Sequence, residues 1–147
     1  MINVVLFQPE IAQNVGTIIR TCAGLECNLF IIHPIGFVWN DKKLKRAGLD
    51  YFPHINIKHL DHINQLPNAR VIATSATAEL SYTQINYQQN DMLLFGKEST
   101  GLQDLDHDFV NELLCVKIPI VTRSLNLAVS VGIVASYAVY KTNFYAK

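Results

Sequence analysis

Five short, almost unbroken apolar runs dominate this chain: Ile2 to Phe7, Asn28 to His33, Arg70 to Thr74, Asp91 to Phe95 and Leu114 to Ile118. A strand with one face in water alternates apolar and polar residues, whereas a strand buried on both faces does not. Runs of this kind, separated by helical patterns, predict an α/β fold with a mostly parallel sheet between flanking helices. Ile11, Val15, Ile18, Ile19 and Cys22 form the stripe of a helix facing a core. A weaker helix is expected from Asp106 to Leu114, and a last one from about Asn126 to Lys141. The last helix is apolar almost all round, so a second subunit is expected to share its burial.

No linker or repeat interrupts the 147 residues, which read as one domain, 1–147. At this length folding hides roughly 68–70% of the unfolded surface, enough for a core without disulfides. Cys22, Cys27 and Cys115 are odd in number and lack a CxxC spacing, so reduced thiols in a cytoplasmic protein are expected. The start MINVVLFQPE has no basic region and meets Pro9 and Glu10 too early for a signal peptide. The tract Leu125–Tyr140 is interrupted by Asn126, Ser130 and Ser136 and falls short of the roughly 18 residues of a membrane span.

Twelve Lys and Arg balance twelve Asp and Glu. A neutral chain does not hold a polyanion or a membrane by bulk charge, so any such partner must be gripped locally. The one basic cluster is Lys42, Lys43, Lys45 and Arg46, flanked by Trp39 and Tyr51. It reads either as a solvated helix face or as a contact for nucleic acid.

Familiar catalytic patterns are missing. His59 and His62 in HLDH have a metal-like spacing but no HExxH or Cys companion, and no metal is expected. The segment Gly96–Gly101 lacks the order of a phosphate loop, and no GxGxxG follows the first run. Three polar islands remain at the ends of apolar elements, where α/β proteins bind ligands. In the first, Asn14 to Arg20, Gly16 leaves room one turn before the Arg20 guanidinium. In the second, Gly96 to Leu102, two glycines permit close backbone approach around Glu98. In the third, Ile118 to Ala128, Ser124 or Asn126 either caps the final helix or belongs to a site.

The order NxGxxIR, LLFGKESTGL and IPI…RSLNLAVSV resembles the three motifs of the SPOUT superfamily of AdoMet-dependent RNA 2′-O-methyltransferases. The whole chain, including VVLFQPEIAQNVG and WNDKKLKRAGLDY, is similar to the small single-domain tRNA (cytidine(34)-2′-O)-methyltransferases. This resemblance implies a C-terminal trefoil knot, a homodimer and bound S-adenosyl-L-methionine (AdoMet). It implies catalytic roles for Asn14, Arg20, Glu98, Ser124 and Asn126. It further implies a cofactor held around Thr74, Gly96, Ile118, Ile120, Leu125 and Asn126. The tRNA anticodon loop would be the partner, met by Lys42, Lys43, Lys45 and Arg46. The family assigns Arg20 to deprotonation of the hydroxyl, yet a guanidinium with a pKa above about 12 is a poor base and a good electrostatic stabiliser. Two alternatives stand beside this reading: a relative acting on ribosomal RNA, and an RNA-binding module without turnover.

Overall fold

The computed structural model describes residues 1–48 and 53–144, without side chains at 45–48, 107, 111 and 144. The chain runs β1 (Asn3–Phe7), α1 (Ala12–Gly24), β2 (Asn28–Ile32), α2 (Asp41–Gly48), β3 (Ile57–Leu60), β4 (Val71–Thr74) and β5 (Leu80–Ser81). It continues through β6 (Met92–Phe95), α3 (His107–Asn111), β7 (Leu114–Lys117) and α4 (Leu127–Phe144). The strands form one sheet in the order β3-β2-β1-β6-β4-β7-β5. Every pairing between them is parallel.

Each of the five expected strands is present. β1 and β6 are buried along their whole length because both sheet faces are covered. On one face Val4, Leu6, Leu29, Ile72 and Leu93 pack with Val15, Ile18 and Ile19 of α1 and Val131, Val134 and Ala138 of α4. On the other, Val5, Phe7, Phe30, Ile32 and Leu94 meet Leu105, Phe109 and neighbouring loop residues.

The differences from expectation have local causes. β3 was not foreseen because it is an edge strand with Lys58 and His59 exposed between half-buried Ile57 and Leu60, giving no apolar run. The basic segment forms helix α2, which docks through Leu44, 3% exposed. The helix expected from Asp106 to Leu114 spans only His107–Asn111, since Leu114 already pairs with Ile72 in the sheet. Gly16 is buried, so the space expected one turn before Arg20 is filled by packing.

From β1 the chain builds outward through β2 and β3, then crosses to β4 and β6 on the other side. The carboxyl ends of β1 and β6 thus flank a topological switch point, where open α/β sheets place their ligands.

Candidate active site

Thr74 is level with Phe95 of β6 and with Val116 of β7. The segments that follow, containing Gly96 and Ile118, therefore leave the sheet on either side of Thr74. Thr74 Oγ1 is buried and has no hydrogen-bond partner. A side chain does not fit at Gly96: a Cβ there would lie 2.2 Å from the carbonyl carbon of Gly101. The tight loop is closed by Lys97 N–H donating to Gly101 O (3.1 Å) and Gly101 N–H donating to Lys97 O (2.9 Å). Gly101 takes φ +61°, a conformation natural to glycine.

Glu98 sits in this loop and acts on α1. The helix begins at Ile11, which supplies no side-chain cap. Glu98 replaces it, accepting from Glu10 N–H (2.8 Å) and Ile11 N–H (3.1 Å), so a carboxylate lies at the positive end of the helix. It also accepts from Asn14 Nδ2 at 3.1 Å. Asn14, only 7% exposed, accepts from Asn126 Nδ2 through its own Oδ1 at 2.9 Å. Asn126 Oδ1 then caps α4, accepting from Ala128 N–H (2.8 Å) and Val129 N–H (3.3 Å). One hydrogen-bonded chain, Glu98–Asn14–Asn126, thus joins all three polar islands and the starts of both long helices.

Other expected residues stand apart from that chain. The capping role falls to Asn126, and Ser124 is exposed two residues before it. Ile120 is exposed, while Ile118 and Leu125 are half-buried at the two ends of the same segment. Arg20 is exposed, six residues beyond Asn14 and on a different side of the helix. With Thr17, Thr21, Gly24, Leu25 and, from α4, Gly132 and Ser136, it lines a concavity of about 450 Å³.

On α2, Lys42 and Lys43 are exposed, while the Lys45 and Arg46 side chains and Tyr51 lie outside the described residues. Asn40 Oδ1 accepts from Lys43 N–H at 3.1 Å and steadies the helix start. Trp39 packs partly against the core. Its indole donates to Asp41 Oδ1 (2.8 Å), and the ring meets His59 edge-on at 4.5 Å. Trp39 is thereby an anchor for α2. His59 also shares a 2.8 Å hydrogen bond with His33. Burial, and then the neighbouring His33, hold its pKa below the ordinary histidine value despite Asp41. His62 instead takes part in a capping box. Among the described residues no group of three or more His, Cys, Asp or Glu side chains is placed to hold a metal ion.

Sequence reasoning passed over Glu10. Its carboxylate accepts from Ser99 N–H (2.8 Å) and Ser99 Oγ–H (2.9 Å) across the switch point. A glutamate following a proline carries no signal of that contact, which exists only once β1 and β6 are paired.

Such a sheet, with a glycine-pinned loop and an asparagine–glutamate chain at its carboxyl edge, has the form of an α/β protein that binds its ligand at the switch point. Residues 1–136 match the model of the SpoU rRNA Methylase family, and the chain belongs to that family. Within it, the chain is 39% identical over 145 residues to the tRNA (cytidine(34)-2′-O)-methyltransferase of Yersinia pestis, covering 91% of this chain and 90% of the relative. A solved structure giving insight into the 2-OH methylation of C/U34 on tRNA superposes with a TM-score of 0.89 at 42% identity, covering 100% of this chain and 98% of the other. An AdoMet-bound rRNA methyltransferase from Sinorhizobium meliloti is 25% identical with a TM-score of 0.74, covering 93% of this chain and 55% of the other.

Proposed function

We propose that this protein is a tRNA (cytidine(34)-2′-O)-methyltransferase, moving a methyl group from AdoMet to the ribose 2′-hydroxyl of the wobble nucleotide in the cytoplasm. The observation that carries this reading is the Glu98–Asn14–Asn126 chain, which ties the three motif segments together beside the loop ends at Thr74, Gly96 and Ile118. The fit to the cofactor rests on two features: the buried Thr74 hydroxyl lacks a partner, and the loop at Gly96 excludes any side chain from its inner edge. Thr74, the backbone around Gly96, Ile118, Ile120 and Leu125, and Asn126 would hold AdoMet. When bound, AdoMet supplies an electrophilic sulfonium methyl.

The protein's own contribution is positioning and charge. Glu98 and Asn14 hold the entry of α1, and Asn126 holds the entry of α4. Ser124, exposed on the segment before α4, contacts the ribose. Arg20 stabilises the negative charge developing on the 2′-oxygen and clamps the adjacent phosphate, whose oxygen takes the proton. Lys42, Lys43, Lys45 and Arg46 meet the anticodon-loop phosphates.

Arg20 lies away from the Asn14–Glu98 cluster, on the groove between α1 and α4, so this reading includes a homodimer in which Arg20 serves the partner's site. The outward side of α4 shows Val129 at 49% and Tyr140 at 56% exposure, an apolar surface that a second copy would cover. The C-terminal trefoil knot belongs to the same reading. Sedimentation should give a dimer, and a well-folded monomer at micromolar concentration overturns that part.

The function is tested with labelled AdoMet and tRNA from a strain lacking the enzyme. Transfer to the ribose at the wobble position is expected, with a loss of about 10²–10³ in rate for Arg20→Ala. An inactive wild-type protein, or one that labels only ribosomal RNA, overturns the assignment.

A further inference from the structure

Glu98 and Glu10 form a reciprocal clasp across the switch point. The Glu10 amide donates to Glu98 Oε2, while the Glu10 carboxylate accepts both the amide and the hydroxyl of Ser99. Each segment thereby satisfies the other's unpaired donors: the loop caps the helix, and the residue before the helix caps the loop. The backbone around Glu10 is itself enclosed. Gly36 N–H donates to Pro9 O at 2.9 Å, and a Cβ at Gly36 would come within 2.7 Å of Glu10 Cα. Gln8, which turns the chain out of β1, adopts φ +48°, a sparsely populated conformation for a non-glycine residue. Such strain persists only where the surroundings over-determine it. Lys97 Nζ adds a second tie across the same gap, donating to Gln8 Oε1 at 3.4 Å.

We infer that Glu10 is a positioning residue for methyl transfer: it sets the backbone of the 96–101 loop and locks that loop to the start of α1. The inference rests on the proposed function, in which that loop holds AdoMet. Glu10 touches neither reactant. Its contribution is register, and small misplacements of reacting groups cost large factors in rate.

Three variants test it. Glu10→Ala removes both contacts to Ser99. Glu10→Gln keeps them, since the amide oxygen accepts from Ser99 N–H and its NH₂ donates to Ser99 Oγ. Asp106→Ala removes the side-chain cap of α3, which accepts from Asp108 N–H at 2.8 Å away from the clasp, and serves as a destabilised control. For Glu10→Ala, kcat should fall about tenfold or more and AdoMet Kd should rise about fivefold, with the KM for tRNA within about twofold of wild type. Glu10→Gln should stay within about threefold on every measure, and Asp106→Ala should lower Tm while leaving kcat and AdoMet Kd unchanged. Hydrogen exchange at the Ser99 amide should accelerate about tenfold in Glu10→Ala alone. The proposal is overturned if Glu10→Ala keeps kcat and AdoMet affinity within about twofold of wild type, if Glu10→Gln is as impaired as Glu10→Ala, or if the control loses as much. Should the wild type label no tRNA, the functional reading fails by itself, and AdoMet binding with amide exchange still decides the role of Glu10.

Discussion

Thr74 Oγ1 is one oxygen atom with a disproportionate meaning. A buried hydroxyl without a partner costs about 1–3 kcal/mol, and native proteins leave few of them. Thr74 closes β4 between the ends of β6 and β7, so its hydroxyl lies where the proposed cofactor enters. Thr74→Val removes the polar atom and keeps the shape. The ligand-free protein should gain about 1 kcal/mol, while AdoMet binding weakens about tenfold, the loss of one hydrogen bond to a group that now cannot make it. Thermal melts with and without AdoMet read both effects in one experiment. A variant that is less stable and binds AdoMet normally shows that the hydroxyl has no part in binding. At this scale the sequence was informative where a polar island stands at the end of an apolar element, as at Asn14, Glu98 and Asn126. It was silent on Glu10, Ser99 and His33, whose partners are assigned by strand pairing rather than by neighbours in the chain.

Helices α1 and α4 share a single anchoring point. Asn126 caps α4 through its carbonyl oxygen and satisfies Asn14 through its amide, so its removal affects both elements. Loss of an N-cap costs about 1 kcal/mol and an orphaned buried amide oxygen about 1–3 kcal/mol. Asn126→Ala should therefore destabilise by about 2–4 kcal/mol in urea denaturation. Asn14→Ala on that background should add less than it does alone, because the contact it breaks is already gone. Fully additive losses in the double variant contradict the shared anchor. The periodicity of α1 and the run of α4 made both helices legible, as did the five buried strands, because burial on two faces writes itself into continuous apolar sequence. Edge elements write nothing comparable. β3 lies at the end of the sheet and β5 has two residues, so neither carries a hydrophobic pattern of its own.

A chain with no net charge can still present opposite charges on separate surfaces, and that distribution decides where a polyanion lies. Lys42 and Lys43 are exposed on α2, which packs beside α1 on the face that also carries α4. A concavity of about 490 Å³ next to α3 is lined by Asp106, Asp108 and Glu112, together with Ile63, Asn64, Leu105 and Phe109. An acidic surface of that kind disfavours a polyanion, which agrees with the proposed approach of the tRNA from the α2 side. Because Leu44 and Trp39 pack against the core while Lys42 and Lys43 are exposed, replacing those two lysines should not disturb the fold. Each phosphate contact to a single strand contributes about 0.7 to the slope of log K against log salt. Lys42→Ala with Lys43→Ala should therefore weaken tRNA binding and flatten that slope by about 1.4, with AdoMet affinity unchanged because the carboxyl edge at Thr74 and Gly96 is untouched. Binding titrations from about 50 to 200 mM salt measure the slope directly. An unchanged slope means that α2 is a solvated helix face and that the RNA is held elsewhere on the molecule.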